Sequence, residues 1–490
     1  MLIDADTAYQ ALTARDARFD GRWFVGVTST RVYCRPICRV RTPRRENCRF
    51  FETPAQAEAA AFRPCLKCRP EIAPGQALRW SVMDASRTLA QQAAEQLDAR
   101  AAAGDSPDVG QLAELLGVSE RHLRRIFLAE HGVTPVQYMQ TRRLLLAKQL
   151  LTDTHLPITQ VALASGFKSV RRFNAAFANS YRMSPSRLRG RATDTPPRAD
   201  GAVTMALGYR TPYDHATLLR FFALRAIAGI ETVDEQGVRR TVRAGVVTEA
   251  AGWIEASFEV STARVRLRFA PQWALVSARV AAAARRWLDL DASPQTIDAA
   301  LDGLPGAPGL RLPGSLDAFE LAVRAVLGQQ VTVAAARTLA RRLVARFGQA
   351  ESTPWPDVDR SFPAPQVLAQ APLEQIAELG IIRTRAAALI ALGQAWPLLR
   401  EQFAGPASPD ALIAALRELP GIGPWTAHYI AMRALSWPDA FPPQDVAVLK
   451  AMKHRYGTVT QRDADTHAQA WQPWRAYAVL RLWNSLEKTA

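Results

Sequence analysis

The sequence has no cysteine after residue 68 and no apolar run long enough to span a bilayer. Its five cysteines all lie between residues 34 and 68. An odd, clustered set of that kind points to metal binding rather than to a disulfide framework. The amino terminus, MLIDADTAYQ, lacks the basic-then-apolar pattern of a secretory signal, so a cytoplasmic location is expected. Lysine is scarce beside arginine. Acidic residues number 45 against 61 basic ones, a net charge of +16. That balance suits phosphate-rich partners, and it equally fits a merely soluble basic protein. Hydrophobic residues make up 48% of the chain, ample for folded cores, and 490 residues set a prior of about three or four domains.

What cysteine there is forms two close pairs. YCRPIC supplies Cys34 and Cys38, and FRPCLKCRP supplies Cys65 and Cys68. Two such pairs close a tetrahedral zinc site of four thiolates. Cys48, in RRENCRF, has no paired neighbour and reads as a small buried residue. A four-thiolate site usually does no more than hold a small domain together. The run from YCRPIC through RREN to FRPCLKCRP, however, is similar along nearly its whole length to the amino-terminal domain of Ada-type DNA methylphosphotriester repair proteins. The resemblance implies that Cys34, the first cysteine of the YCRP element, accepts a methyl group; a purely structural zinc head is the alternative. Arg35, Arg44, Arg45 and Arg63 flank the cysteines. They are candidates for holding a DNA backbone, or simply a solvated basic surface.

Residues 81 to 190 read as helices. QLAELLGVSERHLRRIFLAEHG has a helix, a turn at Gly117, and a second helix capped by Ser119. A similar unit follows in ITQVALASGFKSVRRFNAAFANSYRMSP, with its turn at Gly166 and its cap at Ser169; the apolar helix of RRLLLAKQLL joins the two. A single helix-turn-helix pattern is often only a helical corner. Two copies resemble the AraC-type transcription regulator domain, which Ada-type regulators place directly after the zinc domain. Side chains near the start of each second helix are the ones that reach a major groove. Here they are Arg121, Arg124 and Arg125, then Arg171, Arg172 and Asn174.

RATDTPPRADGAVT, at 191–204, is polar and proline-bearing and reads as a linker. Beyond it, VRRTVRAGVV, WIEASFEV and VRLRF alternate with period two, as strands do. Helical runs flank them, and from about 295 the chain is nearly all helix. LGYRTPYDHATLLRFFALRAIAGIE, GLRLPGSLDAFELAVRAVLGQQVTVAAA and WQPWRAYAVLRLW resemble the AlkA-type 3-methyladenine glycosylases, from about residue 206 to the end. LPGIGPWTA looks like the hairpin of helix-hairpin-helix glycosylases, and Asp445 in FPPQD stands where their catalytic aspartate does. The bland reading of the hairpin is a glycine turn between packed helices, with Asp445 an ordinary loop acid.

The resemblance implies more at single residues. Gly421, Ile422 and Gly423 would grip phosphate through backbone N–H groups at a helix N-terminus. Trp425, Tyr429 and Trp483 match the family's base-pocket aromatics, which attract a cationic base; core packing is the alternative for each. Glycosylases with lyase activity carry a lysine at the place of Trp425, so a monofunctional enzyme is implied. The family's apolar wedge is matched by Gln330, a departure, although a glutamine still fills the gap. With no cysteine after Cys68, neither an iron–sulfur cluster in the hairpin nor the second, Pro-Cys-His-Arg methyltransferase of Ada proteins is expected.

The expected architecture is multidomain and mainly α. It has a small zinc-bound α+β head at 1–78, an all-α double helix-turn-helix domain at 79–190 and the linker at 191–204. A small α+β domain at 205–292 and an all-α helix-hairpin-helix domain at 293–490 follow. The expected partner is double-stranded DNA, as alkylated bases, methylphosphotriesters and promoter sites; no membrane partner is expected. The expected function is removal of alkylated purines such as 3-methyladenine, fused to methyl acceptance and transcription control. Two alternatives stay open: a regulator with an inactive glycosylase half, and an active glycosylase with a purely structural zinc head.

Overall fold

Four short strands form the sheet of the head. Phe24–Val27 pairs antiparallel with Val32–Cys34 on one side and with Cys48–Phe51 on the other. Arg63–Pro64 adds in parallel to Val32–Cys34. This register sets Cys34 at a strand end opposite Val25. The two cysteine pairs pack into one cluster with Trp23 and Val25, while Phe24, Tyr33 and Phe62 form a second. A computed structural model describes residues 4–75, 85–103, 108–190, 201–404, 408–457 and 459–487. Among these, no helix is long and apolar enough to cross a membrane.

The next stretch is helical, and its caps are the ones the sequence announces. Ser119 accepts from the amide of His122 at the start of Glu120–His131, and Ser169 from that of Arg172 at the start of Val170–Tyr181. Thr134 and Gln137 close a reciprocal capping box on the 19-residue helix Pro135–Asp153. That helix buries Leu144, Leu145, Leu150 and Leu151, and with them the polar Thr141, Lys148 and Gln149. Buried polar groups need partners, and the head supplies several. Lys148 pairs with Glu71 at 2.5 Å, and Thr141 donates to Glu58 at 3.0 Å.

The chain divides into two compact units, and the division does not follow the expected domains. The first holds Met1–Thr211 and Glu259–Ala282; the second holds Pro212–Phe258 and Ala283–Ala490. The segment expected at 205–292 therefore contributes to both. Its first strand, Val203–Gly208, pairs antiparallel with Arg264–Phe269 inside the first unit. There the Ala206 amide donates to Asp153 at 3.1 Å, and the Ala206 carbonyl accepts from Gln149 at 2.8 Å. Arg210, 1% exposed, donates to the Asp20 carbonyl at 3.0 Å. Residues 191–200 of the expected linker lie outside the described residues; the strand begins at Val203, before that linker was expected to end.

In the second unit, Glu231–Val233, Gly237–Val242 and Gly252–Glu259 form an antiparallel run. A ring of buried charges lies beside it. Arg240 bonds Glu231 at 3.2 Å and Glu320 at 2.6 Å, and Arg324 bonds the same two carboxylates at 2.6 Å each. The ring fastens the strands to the helix Ala318–Leu327. Removing one member of such a buried pair typically costs about 3–5 kcal/mol, because the other charge is left unpaired. Two apolar clusters complete this unit. One lies around Phe319, Leu343, Leu389 and Ile430, the other around Met432, Met452, Tyr477 and Leu480.

Candidate metal centre and candidate active site

The sulfurs of Cys34, Cys38, Cys65 and Cys68 all lie within 4.8 Å of one another, and all four residues are buried. Zinc–sulfur bonds of about 2.3 Å in a tetrahedron put sulfurs about 3.8 Å apart, so the cluster fits one zinc ion, and its four soft thiolates are the donors zinc prefers. Zinc is the cofactor of the head. Cys48 stands outside the cluster, and its thiol donates to the Arg44 carbonyl at 3.3 Å. The four sulfurs are not equivalent. Backbone amides reach three of them: Arg35 to Cys68 at 3.3 Å, Val40 to Cys38 and Cys68 to Cys65. Cys34 is acted on most strongly by the other three thiols and by burial, which raise its pKa.

Of the four flanking arginines, Arg35 does not match its expected role. It is 3% exposed, with Nε donating to Asp20 at 2.8 Å, an ion pair to the same carboxylate, and Nη1 donating to the Cys68 carbonyl at 3.1 Å. A guanidinium spent this way braces the metal loop and has no face left for DNA. Arg45 is engaged in part, pairing with Asp6 at 3.0 Å and lying 5.6 Å from the Phe50 ring centre. Arg44 is open to solvent, with a loose pair to Glu46 at 3.8 Å. Arg63 is half-buried on its edge strand. On the helix-turn-helix units, Arg121, Arg124, Arg125, Arg171, Arg172 and Asn174 are all exposed. Arg124 also bonds Glu120 at 2.5 Å, a surface pair of small worth.

The hairpin is the helix Pro409–Arg417, a turn, and the helix Pro424–Ala434. One expectation about its turn needs correction. Gly421 has φ +79, and a Cβ there would lie 2.9 Å from the Cβ of Ala388, so glycine is required. Gly423 has φ −81 and needs no such freedom; a Cβ there would meet nothing. Its bareness leaves the approach to the helix end open. Ile422 does not offer its amide outward. Its N–H donates to the Leu419 carbonyl at 3.2 Å, and its side chain is buried in the core. No side chain caps the helix at Gly423, which leaves the amides at its start, those of Gly423, Trp425 and Thr426, without a side-chain acceptor.

Asp445 is no ordinary loop acid. It caps the helix Val446–Tyr456, accepting from the Val448 amide at 2.8 Å, and it is 5% exposed. Its other partners are two indoles: Trp425 donates to one oxygen at 2.7 Å, and Trp483 to the other at 3.1 Å. The three expected aromatics and Asp445 line one cleft of about 520 Å³, together with Phe221, Arg225 and Arg433. Trp425 and Tyr429 stack at 5.1 Å with 9° between their planes, and Tyr429 lies 6.3 Å from Trp483. Arg433 donates to the Tyr429 oxygen at 2.9 Å. Burial alone would raise the Tyr429 pKa, but the charges of Arg433 and Arg225 outweigh it and hold the phenol below its usual value.

Sequence reasoning missed Arg225, Arg433 and Gln329. Arg433 was within reach: Trp425, Tyr429 and Arg433 recur every four residues, which aligns them on one helix face. Arg225 carried no such signal, being some two hundred positions away. Gln330 is exposed with φ +53. Gln329 donates to the Gly421 carbonyl at 2.8 Å and to the Thr426 hydroxyl at 3.0 Å, which ties the Gln330 loop to the hairpin turn.

Four family models match the chain in succession. They are the metal-binding domain of Ada at residues 7–71, a helix-turn-helix domain at 112–191, the AlkA N-terminal domain at 204–317, and the HhH-GPD superfamily base excision DNA repair protein at 323–476. A probable bifunctional transcriptional activator/DNA repair enzyme AlkA from Mycobacterium tuberculosis is 36% identical, over 99% of this chain and 97% of its own. DNA-3-methyladenine glycosylase 2 of Escherichia coli is 35% identical, over 56% of this chain and 95% of its own. The bifunctional transcriptional activator/DNA repair enzyme Ada of Escherichia coli is 34% identical, over 33% of this chain and 42% of its own.

Proposed function

Because the chain belongs to the family of bifunctional transcriptional activator/DNA repair enzymes AlkA, we propose that it repairs alkylated DNA at two separate sites. One releases alkylated purines by hydrolysis of the bond to the sugar. The other takes a methyl group from a backbone phosphotriester and alters how the helix-turn-helix domain holds promoter DNA. The observation that carries the first activity is Asp445, a buried carboxylate whose two oxygens are held by the indoles of Trp425 and Trp483 at the cleft.

In that reaction the bond between sugar C1′ and the base nitrogen breaks, its electron pair leaves with the base, and water adds to C1′. Positive charge develops on the sugar, and Asp445 is placed to stabilise it or to orient the water. An N-alkylated purine already carries positive charge and leaves as a neutral base, so no strong general acid is required. The first amides of the helix Pro424–Ala434 would bind a phosphate beside the lesion, and Gln330 would fill the gap left by the turned-out base. With Trp425 where a lyase lysine would stand, no Schiff base forms and no strand cleavage follows.

In the head, zinc keeps the four thiols deprotonated and fixed in place. Cys34 forms the bond to the methyl carbon while the carbon–oxygen bond of the phosphotriester breaks, and the electron pair stays on the phosphate oxygen. The amides on Cys38, Cys65 and Cys68 draw electron density from those sulfurs, which favours Cys34 as the nucleophile. The product is a thioether, so the cluster carries one negative charge less and meets less repulsion from DNA phosphates.

Asp445→Asn tests the first activity. Release of 3-methyladenine should fall by about two to three orders of magnitude, with DNA binding largely kept, because the charge is used only as the sugar becomes cationic. Parental rates in that variant would make an inactive glycosylase half the better reading. Mass spectrometry of the cysteines after exposure to methylated DNA tests the second; methyl on no cysteine would leave the head purely structural.

A further inference from the structure

The floor of the cleft does not match a pocket built only for cationic bases. Arg433 enters it from the same helix face as Trp425 and Tyr429, and its guanidinium is fixed on three sides. Nε donates to the Pro313 carbonyl at 2.8 Å, Nη2 to the Gly314 carbonyl at 3.2 Å, and Nη1 to the Tyr429 oxygen at 2.9 Å. All three are neutral oxygens, so the positive charge of Arg433 is not cancelled by them. Arg225 acts on the same phenol from the helix His215–Arg225, through a hydrogen bond and its charge. The Phe221 ring is also occupied: the guanidinium carbon of Arg225 lies 3.7 Å from its centre, and that of Arg433 lies 4.9 Å from it. A cationic base gains nothing from the Phe221 face, which two cations already cover, and near it is repelled by them.

The phenol oxygen of Tyr429 receives hydrogen bonds from both guanidiniums, so its own O–H is the function left to offer. A phenol polarised in this way is a strong donor. The Asp445 carboxylate and the indoles of Trp425 and Trp483 line the same cleft; what the Tyr429 end of it offers is a donor and nearby positive charge.

We propose that Tyr429, with Arg433 and Arg225 behind it, is a specificity-determining donor site that reads a carbonyl oxygen on the extruded base. It favours keto purines over those lacking that oxygen, and it penalises a formal positive charge on the base. This rests on the excision reading above and deepens it. Base charge promotes departure at the sugar, while this site acts against the charge in binding. The two effects set a preference order that departure chemistry alone would not give.

Three substrates separate the two effects in full-length protein acting on duplex DNA. Hypoxanthine is neutral and has the oxygen, 7-methylguanine is cationic and has it, and 3-methyladenine is cationic and lacks it. Tyr429→Phe keeps the stacked ring and loses only the hydroxyl. It should slow release of hypoxanthine and 7-methylguanine about tenfold more than release of 3-methyladenine, the loss expected for one hydrogen bond in a closed site. Arg433→Gln should shift the rate ratio of 3-methyladenine to hypoxanthine about tenfold toward 3-methyladenine. A general loosening of the helix would slow all three bases alike and leave that ratio where it was.

Equal slowing of the three bases by Tyr429→Phe overturns the inference, as does an unchanged ratio in Arg433→Gln. If Arg433→Gln does not fold, Tyr429→Phe decides alone. A parent protein that releases none of the three bases overturns the excision reading, and this inference with it; an active parent with uniform mutant effects overturns the inference only.

Discussion

The two reactive groups, one in each compact unit, are buried almost equally, Cys34 at 4% exposure and Asp445 at 5%, yet they are held in opposite ways. Asp445 has an N–H on both oxygens, from Trp425, Trp483 and the Val448 amide. Cys34 sits among three sulfurs that take backbone amides, and it is itself acted on chiefly by those sulfurs. The difference matches the work proposed for each. A nucleophile must deliver an electron pair to carbon, and every hydrogen bond to it lowers that capacity. A carboxylate that supplies charge to a developing cation forms no bond, so fixing both oxygens costs little and holds the charge in place.

Breaking the metal centre should have the largest effect. The double variant Cys65→Ser, Cys68→Ser should lose its zinc and with it the fold of the head, since structural zinc contributes about 10–16 kcal/mol in small domains. Metal content and limited proteolysis of residues 4–75 would report it; retained zinc would place the metal elsewhere. Next is the brace behind it. Arg35→Ala leaves the Asp20 carboxylate buried without its cation and should destabilise the head by about 3–5 kcal/mol in chemical denaturation. An unchanged midpoint, together with weaker DNA binding, would restore Arg35 to the surface role first expected of it.

On the other side of the comparison, Trp483→Phe keeps an aromatic ring and removes one N–H from Asp445. Excision should slow by about tenfold, far less than in Asp445→Asn, because the charge remains and only its fixing is lost. A loss as large as that of Asp445→Asn would mean that orientation, not charge, carries the site.

The smallest effect concerns Glu58, which accepts from Tyr33, the neighbour of Cys34, at 3.1 Å and from Thr141 at 3.0 Å. Burial pushes its pKa up to about 8, against the opposing hydrogen bonds of Thr141 and Tyr33 and the charge of Lys148. The folded state therefore favours the protonated acid. Its contribution to stability is full below the ordinary value of 4.5 and is lost as pH rises through about 8. Glu58→Gln, neutral at every pH, should raise the unfolding midpoint at pH 8.5 and change it little at pH 4. A variant less stable than the parent at pH 8.5 would show that the ionised carboxylate is the form the fold uses.

Much of the chain was legible from spacing. The paired cysteines, the serine caps at Ser119 and Ser169, and the turn at Gly421 are local patterns, and each appears where its spacing puts it. Arg35 and Ile422 misled for a common reason. Both sit inside a motif, and adjacency to a reactive or phosphate-binding residue says nothing about which way a side chain or an amide faces. The split of the segment at 205–292 between two units was not legible either. It follows from the pairing of Val203–Gly208 with Arg264–Phe269 and from the burial of Arg210, both set by residues far apart in the chain.

The sequence by itself determined the donor set for zinc, the two helix-turn-helix units and the hairpin, because each depends on residue types at short fixed intervals; Asp445 was singled out by the resemblance to helix-hairpin-helix glycosylases. Only the tertiary structure decided that Asp20 disarms Arg35, that Trp425 and Trp483, 58 positions apart, clasp Asp445, and that Arg225 reaches Tyr429. Those arrangements join residues tens to hundreds of positions apart. Their geometry comes from how helices pack and which charges are buried together, and no local periodicity encodes it.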